Sequence, residues 1–573
     1  MNRYPGIVAS PGIATGPVFL YRKKSVSIVR KSVSDPAKEV DRYRKCVQEA
    51  EEALSSLMGR MEADGMEEQV EIFEIQKEFL TDPSYGEAIA ERIEKTGLIA
   101  EAAVEDVSSE LAAEFAAIDD EYFAGRSVDV QDLGKLLIGI LTGTKSEGLS
   151  NLPHPAVVLA DDLAPSDTAG IDRDKVLALC TRAGSATSHT AIIARSFGIP
   201  ALVGLGPISV KSGSEVVVDA VSGSLVVNPS KDELAAFAQA EKEFSARKEE
   251  LLKSAGKPAT TTDGRSVAVW ANIGSVADAR QALELGAEGS GLVRTEFLFL
   301  NRKTLPSEEE QYEVYRQIAE VFGKRPAIIR TLDVGGDKEL PSVEMPPEEN
   351  PFLGRRAIRL ALSDPERLLY PQIRAILRAG AGHALRIMFP MISSLEEIKS
   401  AREAVEHCKE ELTRQGLDFD EKMPLGIMIE IPSAAVIADR LAHHVDFFSI
   451  GTNDLVQYTI AVDRTNDTVA HLADTLHPAV VSLINRVIES AHALGKEVGM
   501  CGEMAGDPAA IPLLLALGLD DFSMAAGSIP FAKDQIRRLS VPDLEPLKQV
   551  ALAATSSEEI RKAAEEFSTG LLG

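Results

Sequence analysis

The chain has 573 residues, with 60 Lys and Arg against 88 Asp and Glu, which gives a net charge of −28. This length allows several domains, and the negative charge argues against a polyanionic partner such as nucleic acid. The four cysteines form no Cys-x-x-Cys pair and no run of about 18 apolar residues occurs, so we predict a cytoplasmic protein without membrane insertion.

The first part of the chain changes from strand-like to helical patterns. Residues 6–21 predict two short strands broken at Pro11-Gly12. Ser34-Asp35-Pro36 then indicates a helix start, and apolar residues at helical spacing continue from there. We therefore predict an all-helical insertion over residues 33–143, whose acidic faces are either solvated surface or a docking surface.

Strand-like runs return after this insertion, at 156–160, 175–179, 199–204 and 216–219. Together with the first strands they predict one α/β domain, made of residues 1–32 and 144–229. Residues 230–256 are rich in Ala, Glu and Lys, which predicts a linker helix.

The remainder, residues 257–573, alternates strand-like and helical patterns. Eight apolar runs lie at 267–273, 291–296, 327–334, 385–391, 425–432, 447–454, 498–504 and 521–528. Eight βα units in this length predict a (β/α)8 TIM barrel, and an open doubly wound sheet is the alternative. The fold class is therefore α/β and multidomain.

His189 lies where a loop of small residues runs into a helix. Thr187 and Ser188 are suitable N-caps, and Ile192 and Ile193 begin an apolar face. Unpaired N–H groups and the helix dipole favour an anion in this first turn, so the imidazole is a candidate phosphoryl carrier. A histidine that only hydrogen-bonds a helix terminus is the structural alternative.

Polar residues recur where the barrel strands end, which is the catalytic face of such barrels. These candidates are Asn272, Arg294, Arg330, Arg356, Glu430, Asn453, Asp454, Arg464 and Cys501. Any one of them could be a structural ion pair, but their convergence predicts a site for a small anion that carries phosphate and carboxylate groups. Phosphoenolpyruvate has this chemistry.

Three chemical roles follow from residue type at this face. Glu430 and Asp454 suit a hard cation such as Mg²⁺ held jointly with a substrate phosphate. Asn453 can donate to an oxyanion. Cys501 can act as a nucleophile or as an acid, because a thiol in a basic pocket supports both.

Several motifs resemble those of the phosphoenolpyruvate-utilising enzymes. The motifs are Thr187-Ser188-His189-Thr190-Ala191, Gly335-Gly336-Asp337-Lys338, Asn350-Pro351-Phe352-Leu353-Gly354, Gly451-Thr452-Asn453-Asp454 and Met500-Cys501-Gly502-Glu503. Within this family the whole chain is similar to the members that phosphorylate a carrier protein of the bacterial sugar phosphotransferase system.

The resemblance implies a role for individual residues. His189 would be phosphorylated, Thr168 would contact its ring, and Cys501 would donate a proton. The phosphoenolpyruvate ligands would be Arg294, Arg330, Asn453, Asp454 and Arg464, and the Mg²⁺ ligands would be Glu430 and Asp454.

The resemblance also implies two protein partners. The insertion at 33–143 would dock the phosphocarrier protein HPr, and the barrel would form a homodimer. Two departures from the family pattern occur, in Gly184-Ser185-Ala186 before the histidine and in Gln76, where a histidine is common.

Two rival functions share parts of this pattern. A phosphoenolpyruvate synthase or pyruvate phosphate dikinase has the histidine and the barrel, but requires a nucleotide-binding domain, and the first 143 residues contain no Gly-rich phosphate loop. A non-catalytic phospho-sensor would not need the complete set of residues at the strand ends.

Overall fold

The structure is a computed structural model of the chain. It describes residues 3–21, 28, 30–63, 73, 76–77, 79–116, 121–143, 149, 152–163, 171–172, 175–184, 189–299, 302, 304–336, 340, 342–343, 345–346, 348–464, 466 and 468–572. The chain divides into two compact units, Met1–Lys248 and Glu249–Gly573. No helix in these described ranges is long and apolar enough to cross a membrane.

The first unit contains one eight-stranded sheet. Its strands are β1 (Arg3–Pro5), β2 (Ile7–Ser10), β3 (Ile13–Leu20), β4 (Ala156–Ala160), β5 (Val176–Thr181), β6 (Ala201–Val203), β7 (Glu215–Asp219) and β8 (Ser224–Val227). They lie in the order β1-β8-β7-β3-β4-β5-β6-β2, and β3 to β6 are parallel. The fully buried β4 reads Ala-Val-Val-Leu-Ala, as a central parallel strand requires.

Helices occupy the chain between β3 and β4. They are α1 (Pro36–Ala63), α2 (Pro83–Thr96), α3 (Ala100–Ala116) and α4 (Glu121–Thr142). Helices α2 and α3 are separated at Gly97, because this residue adopts φ +63° and its N–H donates to Ile93 O. The last helix of this region, α4, starts at Glu121.

Two further helices complete this part of the chain, α5 (His189–Phe197) and α6 (Lys231–Ser254). Helix α5 lies between β5 and β6 and begins at the candidate histidine. Helix α6 spans the boundary between the two units, and its last turn, with the buried Leu251, belongs to the second.

The second unit is a closed parallel barrel, which confirms the predicted fold class and excludes an open sheet. A short strand β9 (Ala259–Thr260) precedes β10 (Ser266–Ile273), β11 (Ser290–Val293), β12 (Ala327–Arg330), β13 (Leu385–Phe389), β14 (Leu425–Ile429), β15 (Phe447–Ile450), β16 (Glu497–Met500) and β17 (Asp521–Met524). Each of β10 to β17 pairs in parallel with the next, and β10 pairs with both β17 and β11.

Helices follow the barrel strands. They are α7 (Val276–Glu284), α8 (Glu308–Phe322), α9 (Ile358–Ser363), α10 (Tyr370–Ala379), α11 (Leu395–Gln415), α12 (Pro432–Val436), α13 (Ala438–Leu441), α14 (Thr452–Ile460), α15 (Pro478–His492), α16 (Ile511–Leu517), α17 (Ile529–Arg538), α18 (Glu545–Ala553) and α19 (Ser557–Leu572). Their apolar faces and the outer faces of the strands form one core.

The barrel interior is filled by a separate apolar cluster. Its buried members are Trp270, Leu292, Ile328, Met388, Met428, Phe447 and Cys501. Most of the predicted strands end several residues earlier than the apolar runs suggested, for example at Arg330 rather than at residue 334. The polar residues at the strand ends therefore lie in the last strand positions, in the loops that follow or in the first turn of the next helix, above this apolar filling.

Candidate active site

Arg330 is the last residue of β12 and lies in a cluster of carboxylates. Its guanidinium donates to Glu296 Oε1 at 2.9 Å and forms an ion pair with Asp333 Oδ2 at 3.1 Å. These buried carboxylates raise its pKa, although burial alone would lower it. The Nε atom is buried and has no hydrogen-bond partner among the described residues. Arg330 is therefore a fixed cation with one donor left to satisfy.

Arg356 is 2% exposed and bridges two strand ends. Its Nε donates to Asp333 Oδ1 at 3.1 Å, and its Nη1 donates to Asp454 Oδ1 at 2.8 Å and to the Tyr458 hydroxyl at 3.2 Å. Its Nη2 has longer contacts with the same two carboxylates. Since the guanidinium is shared between two carboxylates, its geometry suits holding Asp454 more than contacting an anion.

Glu430 follows β14 and is almost completely buried. Its Oε1 accepts a hydrogen bond from the Met391 N–H at 2.6 Å. Burial, together with the nearby carboxylates of Asp454 and Asp333, raises the pKa of Glu430 to about 8, and Arg330 and Arg356 oppose this rise. The ionised form of Glu430 is therefore disfavoured by burial and by its carboxylate neighbours at this end of the barrel, the mouth.

Backbone strain occurs at two residues beside these groups. Met391 has φ +57° and Ala357, which follows Arg356, has φ +50° with ψ −120°. Neither residue is glycine, so each conformation is costly and is maintained by its surroundings. Met391 thereby presents its N–H to Glu430, and the Ala357 N–H is bound by Val334 O at 2.9 Å.

Three other predicted ligands lie at the same ends of the strands. Arg294 follows β11, is exposed, and its side chain makes no hydrogen bond or ion pair with a residue that the structure describes. Asn453 is half-buried in the first turn of α14. Arg464 approaches Asp454 Oδ2 at 3.7 Å with Nη1.

Cys501 directly follows β16 and is 5% exposed. Its N–H donates to Ile450 O at 3.1 Å, and its carbonyl accepts from Asn272 Nδ2 at 2.9 Å. Burial raises the pKa of the thiol to about 11, while the Ser449 hydroxyl and the positive charges of Arg330 and Arg294 act in the opposite direction. The group is therefore a thiol, not a thiolate, at neutral pH.

The predicted phosphoryl carrier lies in the first unit. His189 is the first residue of α5, the position where backbone N–H groups are unpaired. The preceding residues 185–188 and Thr168 lie outside the described residues. Gln76, one of the departures from the family pattern, is buried and donates to Asp132 Oδ2 at 3.3 Å.

Two further carboxylates at this end of the barrel, Glu296 and Asp333, were given no role in the sequence analysis, although both follow strands. Glu296 accepts from Arg330 and from the Asp333 N–H, and Asp333 contacts both Arg330 and Arg356. Their positions at strand ends are the signal that could have indicated them. The contribution of the Met391 N–H has no such signal, because it depends on backbone conformation.

In the described part of the chain, no three His, Cys, Asp or Glu residues form a group that could hold a metal ion alone. Glu430 and Asp454 are the pair of carboxylates closest to that role. Mg²⁺ sites for phosphate chemistry use one or two carboxylates and complete their shell with water and substrate oxygens. The donor set at the mouth is compatible with this type of site.

Family profiles match most of the chain. The PEP-utilising enzyme, PEP-binding domain matches residues 248–541, the N-terminal profile of the same enzymes matches 5–126, and their mobile domain matches 152–223. A solution structure of an Enzyme I protein covers 42% of this chain and 99% of its own, with 36% identity and a TM-score of 0.38.

Curated relatives match over nearly their whole length. Phosphoenolpyruvate-protein phosphotransferases from Bacillus sp. (strain S) and Haemophilus influenzae are each 42% identical, over 97% and 98% of this chain and 96% and 98% of their own. The Bacillus subtilis protein of that name is 40% identical over 98% of both chains. With the barrel, the strand-end residues and the histidine at a helix start, this similarity shows that the chain belongs to the phosphoenolpyruvate–protein phosphotransferase family of the phosphoenolpyruvate-utilising enzymes.

Proposed function

We propose that this member of the family takes the phosphoryl group of phosphoenolpyruvate onto His189 and then passes it to a histidine of the phosphocarrier protein HPr, with release of pyruvate. The observation that carries this proposal is that Arg294 near the buried thiol of Cys501 pairs with no residue in the described ranges. Arg294 is close enough to lower the pKa of that thiol, yet is neutralised by no described carboxylate. A cation left free next to an acid suits an anion that must also be protonated.

The proposed reaction with phosphoenolpyruvate has two steps, phosphoryl transfer and protonation. The imidazole nitrogen of His189 forms a bond to phosphorus while the bond between phosphorus and the enol oxygen breaks. The enolate that remains takes a proton at its methylene carbon from the Cys501 thiol and becomes pyruvate, and the thiolate then regains a proton from solvent. Arg294, Arg330 and Arg464 would bind the substrate's phosphate and carboxylate oxygens, with Asn453 as a further donor.

Mg²⁺ fits the carboxylates of the mouth. Among the described residues Glu430 Oε2 accepts no hydrogen bond, and burial, with the nearby carboxylates of Asp454 and Asp333, raises the pKa of this carboxyl; a divalent cation would favour its ionised form. Glu430 and Asp454 would hold the ion, which would neutralise charge on the transferring phosphoryl group. Arg356 would keep Asp454 in place for this role.

The remaining parts of the proposal concern assembly. HPr would dock on the helices of residues 33–143, the barrel would form the homodimer, and the protein would act in the cytoplasm, where phosphoenolpyruvate is available. The domains would be residues 1–32 with 144–229 for the histidine, 33–143 for the carrier, 230–256 as the linker and 257–573 for the substrate. Similarity to the relatives over nearly the full chain supports this arrangement.

Labelling with [³²P]phosphoenolpyruvate tests the histidine. The wild-type chain with Mg²⁺ should form an acid-labile, base-stable phosphoryl adduct without nucleotide, and His189→Ala should form none, because no other imidazole is expected to reach phosphorus. Added HPr should remove the label from the wild type. Labelling that requires a nucleotide would indicate the synthase or dikinase alternative, and neither label nor pyruvate release from phosphoenolpyruvate, with or without nucleotide and HPr, would indicate a sensor.

A further inference from the structure

Asn272 is predicted from its strand end to bind substrate, but its amide is already used within the barrel. Its Nδ2 donates to Cys501 O at 2.9 Å, and its Oδ1 accepts from the Ser523 hydroxyl at 2.7 Å. The Ser523 oxygen in turn accepts from the Gly291 N–H at 3.2 Å. A chain of hydrogen bonds therefore runs from one backbone amide to the carbonyl of Cys501.

The donor and acceptor roles in this series of hydrogen bonds are determined by the groups at its two ends. A backbone N–H of Gly291 can only donate and the carbonyl of Cys501 can only accept, so Ser523 must donate to Asn272 and Asn272 must turn its NH₂ group to Cys501. Asn272 lies on β10 and Cys501 follows β16, so the amide reaches across the intervening strand β17. Aligned hydrogen bonds of this kind strengthen one another in a buried setting.

Cys501 has few other contacts that could orient it, because its neighbours inside the barrel are apolar. Its cluster in the barrel consists of apolar side chains such as Leu292, Met388 and Met428. Its polar contacts are few: its N–H and its thiol both approach Ile450 O, the thiol at 3.8 Å, and the Ser449 hydroxyl lowers the pKa of the thiol. Asn272 makes the remaining hydrogen bond, to the carbonyl oxygen of Cys501.

We propose that Asn272 and Ser523 are positioning residues for Cys501, which they hold by its carbonyl so that the thiol keeps one place at the carboxyl end of the barrel. This inference rests on the proposed function, in which the thiol protonates the enolate. A donor must lie within hydrogen-bond reach of the carbon that it protonates, and a displacement of about 1 Å can lower the rate of such a step about 10²-fold.

The test combines single and double variants, with steady-state pyruvate formation as the assay. Asn272→Ala should lower kcat about tenfold to 100-fold and leave the KM for phosphoenolpyruvate within about twofold, since substrate is not contacted. Ser523→Ala should give a smaller loss of the same kind, and Ser523→Thr, which retains the hydroxyl, should restore most of it. Asn272→Ala in the Cys501→Ala background should cause no further loss, because the group that Asn272 positions is gone.

Ser290→Ala is the matched control. Ser290 is also a fully buried barrel serine, and it donates to Ala271 O at 2.9 Å but has no link to Cys501. This variant should keep its kcat, so a loss equal to that of Ser523→Ala would overturn the proposal as a general effect of a missing hydroxyl. A raised KM with unchanged kcat for Asn272→Ala, or losses that multiply in the double variant, would instead make Asn272 a substrate ligand.

The failure of this inference differs from a failure of the proposed function. If Cys501→Ala alone leaves pyruvate formation unchanged, the thiol is not the acid, and the positioning proposal fails together with that role. If Cys501→Ala is impaired but Asn272→Ala and Ser523→Ala match the wild type, the acid stands and only the positioning proposal is overturned.

Discussion

Glu430 and Asp521 are carboxyl groups buried at opposite ends of the barrel, and the pKa of each is raised to about 8. For Glu430 the further cause after burial is its two carboxylate neighbours, which gives a cation a reason to bind. For Asp521, at the start of β17, the opposing contribution of Arg386 is the largest after burial. The side chain packs against Gly499, whose missing side chain leaves the space that it occupies.

The raised pKa of Asp521 predicts that the free energy of unfolding depends on pH. Its folded pKa lies above the ordinary value of 3.8, so the chain must bind a proton on folding between about pH 4 and pH 8. Its contribution to stability is complete below pH 4 and is lost as the pH rises through 8, with a slope of at most about 1.4 kcal/mol per pH unit. The free energy of unfolding of Asp521→Asn should therefore rise relative to that of the wild type as the pH increases from about 4 to 8. Above about pH 8 the difference between the two proteins should stay constant.

Urea unfolding at pH values from 5 to 9, followed by circular dichroism, measures this difference. Asp418→Asn removes an exposed carboxylate in the same unit and serves as the control. A difference between Asp521→Asn and wild type that does not change with pH would show that the buried carboxyl keeps an ordinary pKa.

The last turn of α6 is attached to the barrel by side chains of α17. Lys533 is completely buried, donates to Ala255 O at 3.0 Å and to Gly286 O at 2.7 Å, and pairs with Glu288 at 3.0 Å. Arg537 donates to the Ser254 hydroxyl at 3.1 Å. These contacts satisfy carbonyl groups that the end of a helix leaves unpaired. The segment immediately after α6 is thus a fixed part of the second unit.

Replacing this lysine should destabilise the barrel. Lys533→Met keeps much of the side-chain volume but leaves two buried carbonyls and Glu288 without their donor, so we expect a loss of about 2–4 kcal/mol in the free energy of unfolding. Thermal and urea unfolding measure it. Lys422→Met, at an exposed lysine of the same unit, should change stability by less than about 0.5 kcal/mol. Equal stability of the two variants would show that the buried contacts contribute nothing.

At the scale of the whole molecule, each compact unit has hydrophobic cores of its own. The first contains three buried clusters, one among its helices and two beside its sheet, and the second contains the outer and inner cores of the barrel. His189 lies in the first unit, and every proposed substrate ligand lies in the second. The two half-reactions are therefore assigned to separable parts of the chain.

A fragment of residues 1–248 should fold and exchange phosphoryl groups with phosphorylated HPr, but should not react with phosphoenolpyruvate. It keeps His189 and the helical insertion and lacks Arg294, Arg330 and Cys501. The cut is placed after residue 248 because Ala255 and Lys533 then remain together in the fragment 249–573. A cut after residue 256 would separate these two residues and remove their hydrogen bond. Gel assays of label transfer from each donor, run in parallel on the fragment and the full chain, measure both reactions.

Adding the fragment 249–573 should restore little labelling by phosphoenolpyruvate, because covalent linkage supplies a millimolar effective concentration that free fragments lack. The fragment 249–573 alone is the control and should bind substrate without being labelled. Direct labelling of the 1–248 fragment by phosphoenolpyruvate would show that the barrel is not the donor site.

The periodicity of apolar residues and the residue types in the sequence are sufficient to predict the order of the strands and helices. They also predict which chemical groups lie at the ends of the barrel strands. Eight apolar runs predicted the barrel, since a parallel strand buried on both faces must be apolar throughout. The position of Arg330, Glu430, Asp454 and Cys501 toward the ends of such runs predicted their convergence, because all parallel strands of a barrel end at one face. These inferences need only local pattern and general topology.

Only the tertiary structure decided how those side chains pair. Arg356 and Asn272 look like substrate ligands in the sequence, yet one bridges Asp333 and Asp454 and the other reaches Cys501 from a strand that is not its neighbour. The pKa of Glu430 and the strained Met391 that donates to it depend likewise on groups far apart in the chain. Pairing and burial are determined by distances in space, which a linear pattern of residue types does not contain.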